Sequence, residues 1–345
     1  MKKILAVIYG ALFLALGFSF TTSANAQSPV FYVNDNGIKM TKAEYDNLLS
    51  QGFEDLDIQI MDKESFKLNK DIKATEISKS TKYIKTTTSY EQDASGKKIP
   101  KSESIEVTKE EAELGAEIEN KKQKEEAKEK AKEKGAKKNS DFSALGTETG
   151  TDYTSYKRIT TVISKLATNS YRANNTLEWL TIPKNREMDV LGASIRYPSY
   201  WTADHTKRGG TQYWKVDAND SYGGFYPNYA SDTIQYSASS GNWTNASFSG
   251  AALVQNLKNN YNTNGKFCYV VNLRHNAWFN FTLTNTNYSS STVNIMGAFT
   301  HQIDTAPISI DGFTLTYGAP SIDFKLGNSA ASYDTELNAI AYINK

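Results

Sequence analysis

The chain has 345 residues, with 39 Lys and Arg against 38 Asp and Glu, three His and one Cys. A balance this close to neutral leaves no basic footprint for nucleic acid, and a lone Cys268 excludes an intramolecular disulfide framework. The length allows one sizeable core or two smaller ones.

Residues 1–26 open with Lys2 and Lys3, run apolar through residues 4–20, then turn small and polar before Ala24, Asn25 and Ala26. That order of basic, apolar and A-x-A segments predicts a signal peptide and a secreted chain that begins at Gln27. The apolar run approaches spanning length, so a retained anchor is the alternative; no other segment approaches it. In residues 27–107 a turn at Asn34, Asp35, Asn36 and Gly37 precedes Thr41 and Glu44, spaced as a capping box. The helix it opens aligns Tyr45, Leu48, Leu49 and Phe53, and Gly52 stops it. A second helix is predicted over 55–71, with Ile58, Met61 and Phe66 inward. Such a helical hairpin is too small for a core of its own. From residue 80 the period becomes two, which predicts a β-hairpin turning near Gly96 and ending at 107.

Residues 109–138 read KEEAELGAEIENKKQKEEAKEKAKEKGAKK. Helix formers dominate, and Glu117 with Lys121 and Glu126 with Lys130 are spaced to attract. No large apolar residue follows Ile118, so neither a core-facing stripe nor a coiled-coil seam is present. Residues 108–146 therefore read as a solvated helical or disordered linker. If helical, 30 residues span about 45 Å. The late lysines offer a second reading, a polybasic tether.

Residues 147–345 are poor in charge and carry short, frequent strands between Gly, Asn, Asp and Ser turns. Phe279, Phe281 and Leu283 alternate with Asn280, Thr282 and Thr284, giving one buried and one wet face. An antiparallel β-sandwich is predicted. Helical signal is confined to residues 251–260, where Leu253 and Leu257 lie four apart. The predicted architecture is thus mainly β, with a small α+β N-terminal region and a charged helical linker.

A resemblance is carried by NDNGIKMTKAEYDNLLSQGF and by Tyr171, Asn175, Leu177, Glu178, Trp179, Leu180, Pro183, Arg186, Asp189, Val190 and Gly192. This pattern resembles exported proteins of Gram-positive bacteria that have no characterised function. The resemblance implies secretion and a β-rich second half, and brings no activity.

No catalytic constellation emerges. His205, His275 and His301 have no His or Cys partner at ligand spacing, which speaks against zinc. No G-x-S-x-G elbow is present. The acids, among them Glu178, Glu187, Asp189 and Asp204, form no evident pair for glycoside hydrolysis. Glu178 reads as an ion-pair partner of Arg172 or Arg186. Asp217, Asn219 and Asp220 place oxygens at alternate positions as calcium loops do, yet lack the Gly and Glu of an EF-hand. An Asx-rich turn has the same composition.

The candidate binding residues are Trp201, Trp214, Tyr226 and Trp243, in Gly-, Asn- and Ser-rich surroundings suited to stacking on sugar rings. Core packing is the alternative. The expectation is an exported, non-catalytic modular protein that binds an extracellular glycan or cell-wall polymer through its β domain. A self-associating matrix protein with exposed edge strands and a membrane-active β-sandwich are the alternatives.

Overall fold

The computed structural model describes residues 29–96, 98–135, 152–184, 186–195, 200–245, 250–284, 292–303, 310–315, 322–326 and 339–344. The expected signal peptide and the end of the expected linker lie outside these residues.

The chain is mainly antiparallel β, as its alternation predicts. A large sheet contains β3 (Thr75–Gln92), β4 (Lys98–Val107), β5 (Tyr153–Ala167), β6 (Ser170–Trp179), β8 (Trp201–Asp220), β9 (Phe225–Tyr236) and β13 (Lys266–Leu283), in the order β4-β3-β5-β6-β13-β8-β9. A short β12 (Tyr261–Thr263) also pairs with β13. A smaller sheet has the order β10-β11-β7-β14-β17, formed by β7 (Met188–Ile195), β10 (Trp243–Asn245), β11 (Gly250–Asn256), β14 (Thr292–His301) and β17 (Ala339–Asn344). Two hairpin pairs stand apart, β1 (Tyr32–Val33) with β2 (Lys39–Met40) and β15 (Ile310–Leu315) with β16 (Ile322–Leu326).

The core lies between the two sheets. Ile159, Ile163, Leu177, Phe279 and Phe281 of the large sheet share apolar clusters with Leu191, Ile195, Leu253, Ile295 and Phe299 of the small one. Exclusion of this apolar surface from water drives the sandwich together.

Three local expectations differ from what forms. The helical signal over residues 251–260 falls largely on β11, which pairs residue for residue with β7 from Gly250 opposite Ser194 to Asn256 opposite Met188. Two leucines four apart do not separate a helix from a strand buried on both faces. The helix expected over 55–71 is two, α2 (Asp55–Gln59) and α3 (Lys63–Asn69), after α1 (Lys42–Ser50). Asp62 divides them by capping α3, its Oδ1 accepting from Ser65 N at 2.6 Å. Local pattern predicts two strands, 266–273 and 278–284, but β13 runs unbroken from Lys266 to Leu283 with a bulge between Val270 and Asn272.

The two sides of the charged run join in one sheet. β3 pairs with β5 from Thr75 opposite Lys165 to Thr88 opposite Tyr153, so the hairpin before the run and the strands after it share one sheet. The run itself, α4 (Lys109–Gly135), is not a solvated spacer. Ala112 and Ala116 are buried against Tyr156, and Ala127 and Ala131 against Phe267 and Tyr269. Between those pairs Asn120 Nδ2 donates to Leu180 O at 2.8 Å and Gln123 Nε2 to Ile182 O at 2.9 Å. Positions 112, 116, 120, 123, 127 and 131 form a helical stripe built from small and amide side chains. Its only large apolar residues face out, Leu114 at 62% and Ile118 at 61% exposed. Gly115 sits where a Cβ would lie 2.3 Å from Cζ of Tyr156, so the tyrosine ring fills the place of its side chain.

A substitution pair separates docked helix from spacer. Ala116→Glu, which buries an unpaired charge, is expected to cost about 2–3 kcal/mol in urea unfolding. Leu114→Glu on the outward face should stay within about 0.5 kcal/mol of the parent. Equal, negligible effects would make α4 a spacer after all.

Candidate functional site

The four aromatic residues singled out by the sequence do not form one platform. Trp201 is 3% exposed and packs edge-on against Tyr171 and Phe281 at centroid distances of 5.2 and 5.6 Å. Trp214 is 6% exposed within the inter-sheet core. Both are core side chains with no free ring face for a sugar. Trp243 is half-buried, donates Nε1–H to Ser237 O at 2.9 Å and lies under the Arg208 guanidinium. Tyr226 alone is exposed, its OH donating to Asp220 Oδ2 at 2.9 Å.

The Asx-rich loop is spent on its own backbone. Asp220 Oδ1 accepts from Tyr222 N at 2.9 Å and Gly224 N at 2.7 Å, and Asp217 Oδ1 accepts from Asn228 N at 2.8 Å. Asn219 is buried beside them in β8. Among the described residues no group of three His, Cys, Asp or Glu is placed to hold a metal ion.

One acid–histidine cluster does assemble, inside the sandwich. Asp189 Oδ1 lies 2.7 Å from His301 Nδ1, and its Oδ2 lies 3.1 Å from His275 Nε2 while accepting from Trp179 Nε1 at 2.9 Å. Burial raises the carboxyl's pKa, but the two imidazoles outweigh it and hold Asp189 well below the usual carboxylate range. All of these side chains are buried, so the cluster meets no substrate and acts as an internal tie between the sheets.

The outer face of the large sheet is charged, and the N-terminal helices cover it. Arg274 is clamped by Asp57, with Nε to Oδ1 at 3.0 Å and Nη2 to Oδ2 at 2.9 Å. Glu54 Oε2 reaches both Arg274 at 3.0 Å and Arg158 at 2.7 Å. Glu178 pairs with Arg158 at 2.7 Å rather than with Arg172 or Arg186.

Beside this network the helical layer leaves a cleft of about 480 Å³ between α3 and strands β8 and β9. Drug-sized ligand sites span about 300–1,000 Å³. Its apolar wall is Leu68, Ile72, Tyr236 and Trp278, and its polar groups include Arg172, Asn280, Lys207 and Arg208, with Asp62 and Glu64 on the helix side. Leu68 is 66% exposed and lines the cleft. A register shift between Phe279 and Asn280 skips residues 205–207 of β8 in the pairing with β13, and Thr206 and Lys207 line the cleft. Asp204 Oδ1 fixes that bulge, accepting from Thr206 N at 3.0 Å. Bulges of this kind re-aim side chains next to binding sites. Gly209 admits the Trp278 indole, since a Cβ there would lie 2.8 Å from Cζ2.

Arg172 forms the floor. It is 1% exposed, with Nε donating to Asn280 Oδ1 at 2.9 Å and Nη1 to Asn69 Oδ1 at 2.7 Å and to Gln51 Oε1. Gln51 is oriented by its own Nε2, which donates to the carbonyls of Asn47, Asn69 and Ile72. The guanidinium stacks 4.0 Å from the Trp278 ring centroid. Burial pushes its pKa down to about 9, and among the described residues no carboxylate pairs with it.

No family model matches the sequence. No curated protein matches it either. Among solved structures, one described as "pH-induced modulation of Streptococcus parasanguinis adhesion by Fap1 fimbriae" aligns at 13% identity over 54% of this chain and 80% of that one, with a TM-score of 0.21. A likeness at that level carries no argument, and the functional reading rests on the cleft.

Sequence reasoning missed Arg172, Trp278 and Asn280 as site residues. Arg172 and Asn280 lie among other polar residues in β6 and β13, and Asn280 falls on the face that alternation marks as wet, so neither stood out. What lies across from them comes from helices more than 100 residues earlier, which no local pattern reports.

Proposed function

We propose that this chain is an exported, non-catalytic binding protein whose ligand sits in the cleft between α3 and the large sheet. The observation that carries this reading is a 480 Å³ cleft joining an apolar wall to a buried, uncompensated arginine. Few precisely placed polar groups in an apolar concavity are the usual make-up of a small-molecule site. The acid–histidine cluster, sealed inside the sandwich, offers no chemistry to a substrate, which supports binding over catalysis. Export rests on the basic, apolar and A-x-A order of residues 1–26.

A second reading keeps the polymer-binding expectation at a different place. Tyr222 at 97%, Phe225 at 44% and Tyr226 at 38% exposed gather where β8 turns into β9, and exposed rings suit a glycan surface. Self-association through sheet edges has less support. The edge strand β4 carries Pro100, Lys98 and Lys101, and β9 carries Pro227 and a left-handed Asn228 at φ +49°, the usual guards against edge pairing. No described helix is long and apolar enough to span a bilayer, a fact that bears on helices alone.

A thermal-shift screen of the full chain against soluble small molecules and wall-glycan fragments tests the two sites together. A ligand at a hundred times its Kd stabilises by about 2.7 kcal/mol, several degrees in Tm. The cleft reading expects that shift to vanish in Leu68→Glu and to survive in Tyr222→Ala and Tyr226→Ala. The reverse pattern overturns it in favour of the aromatic turn.

A further inference from the structure

Resting on the cleft reading, we propose that the ligand is a small apolar monocarboxylate, its anionic group received by Arg172 and Asn280 and its apolar body laid against Leu68, Ile72 and Trp278. Two donors in the cleft have no acceptor among the described residues. The first is Arg172 Nη2, because Nε and Nη1 take all the hydrogen bonds that this guanidinium makes. The second is Asn280 Nδ2, whose amide is oriented by its Oδ1 accepting from Arg172 Nε.

Arg172 receives only neutral amide oxygens, from Gln51, Asn69 and Asn280. Amides hold a guanidinium in place without neutralising it, so a buried positive charge awaits a partner. An arginine whose position is set by three amides is preorganised to meet an anion. The free capacity is one nitrogen of the fork plus one amide, which suits a singly charged carboxylate better than a phosphate that needs more donors. Lys207 and Arg208 on the strand side add positive potential, while Asp62 and Glu64 line the helix side. Asp62 already caps α3. The anionic end therefore belongs on the Arg172 floor, and the body runs outward along Leu68.

Calorimetric titration of the full chain with octanoate, N-acetyl-L-phenylalanine and neutral 1-octanol tests the inference. At least one of the two carboxylates should bind at least tenfold more tightly than 1-octanol, and the better of them distinguishes an aliphatic from an amino-acid-like body. Arg172→Met removes the charge but leaves amides facing nothing and can unfold the chain. Asn280→Asp avoids that problem: it keeps the acceptor for Nε, supplies Arg172 with a counter-ion and should abolish the carboxylate preference. Carboxylates that bind no better than 1-octanol, or not at all, overturn the proposal, as does a preference that persists in Asn280→Asp. If 1-octanol and the carboxylates bind equally and Leu68→Glu removes both, the cleft stands as a site and only its anion preference falls.

Discussion

Arg274→Met is expected to destabilise the protein by about 3–5 kcal/mol, the range for breaking a buried ion pair from one side. Arg274 and Asp57 are each 3% exposed in their side chains and joined by two hydrogen bonds. Burial disfavours the Arg274 charge, but Asp57 first, then Glu54 and Glu178, outweigh that cost and hold its pKa above the ordinary value. Removing the arginine leaves Asp57 buried without its partner and Glu54 with Arg158 alone. Adding Asp57→Asn to Arg274→Met should recover a large share of the loss, since an isolated buried charge is what costs most. Urea midpoints for the two single variants and the double variant measure this coupling. Additive losses would mean that the helical layer is not held to the sheet by this pair.

Asp189→Asn is the second large effect, about 3 kcal/mol at neutral pH. The substitution keeps an acceptor for Trp179 but removes the charge that faces two buried imidazoles. Its pH dependence has a definite sign. The folded pKa of Asp189 is depressed, so its contribution is fully present above the unfolded value of about 3.9 and is lost as pH falls toward the folded value. The stability gap between parent and variant should therefore hold steady from neutral pH to about pH 4 and narrow below it. A gap that widens on acidification would contradict a native state that depends on ionised Asp189.

How much of this was legible in the sequence depends on distance along the chain. The capping box at Thr41 and Glu44 forms as spaced, with Thr41 N donating to Glu44 Oε2 at 2.8 Å. The β-hairpin before the charged run and the alternation of Phe279 and Phe281 also appear where local pattern places them. The fate of α4 was hidden because its contacts use alanines, which count for little in a search for large apolar stripes. Leu114 and Ile118, the residues such a search notices, point away from the protein. Trp201 and Trp214 sit in sequence surroundings that look like loops, yet the strands around them are long and their rings fill the core. The cleft was illegible for a plainer reason: α3, β6, β8, β9 and β13 each contribute to it, and their convergence depends on β3 finding β5 across the charged run.

The cleft exists only if both halves of the chain share one fold, and equilibrium unfolding of residues 147–345 alone measures that directly. Without the first half, β5 loses its β3 partner along its length, and Arg158 and Arg274 lose Glu54 and Asp57. The isolated segment should be insoluble or show no cooperative transition, whereas the chain from residue 29 should unfold cooperatively. A soluble 147–345 segment with a transition as sharp and as late as that of the longer chain would contradict a single fold and remove the basis for the cleft.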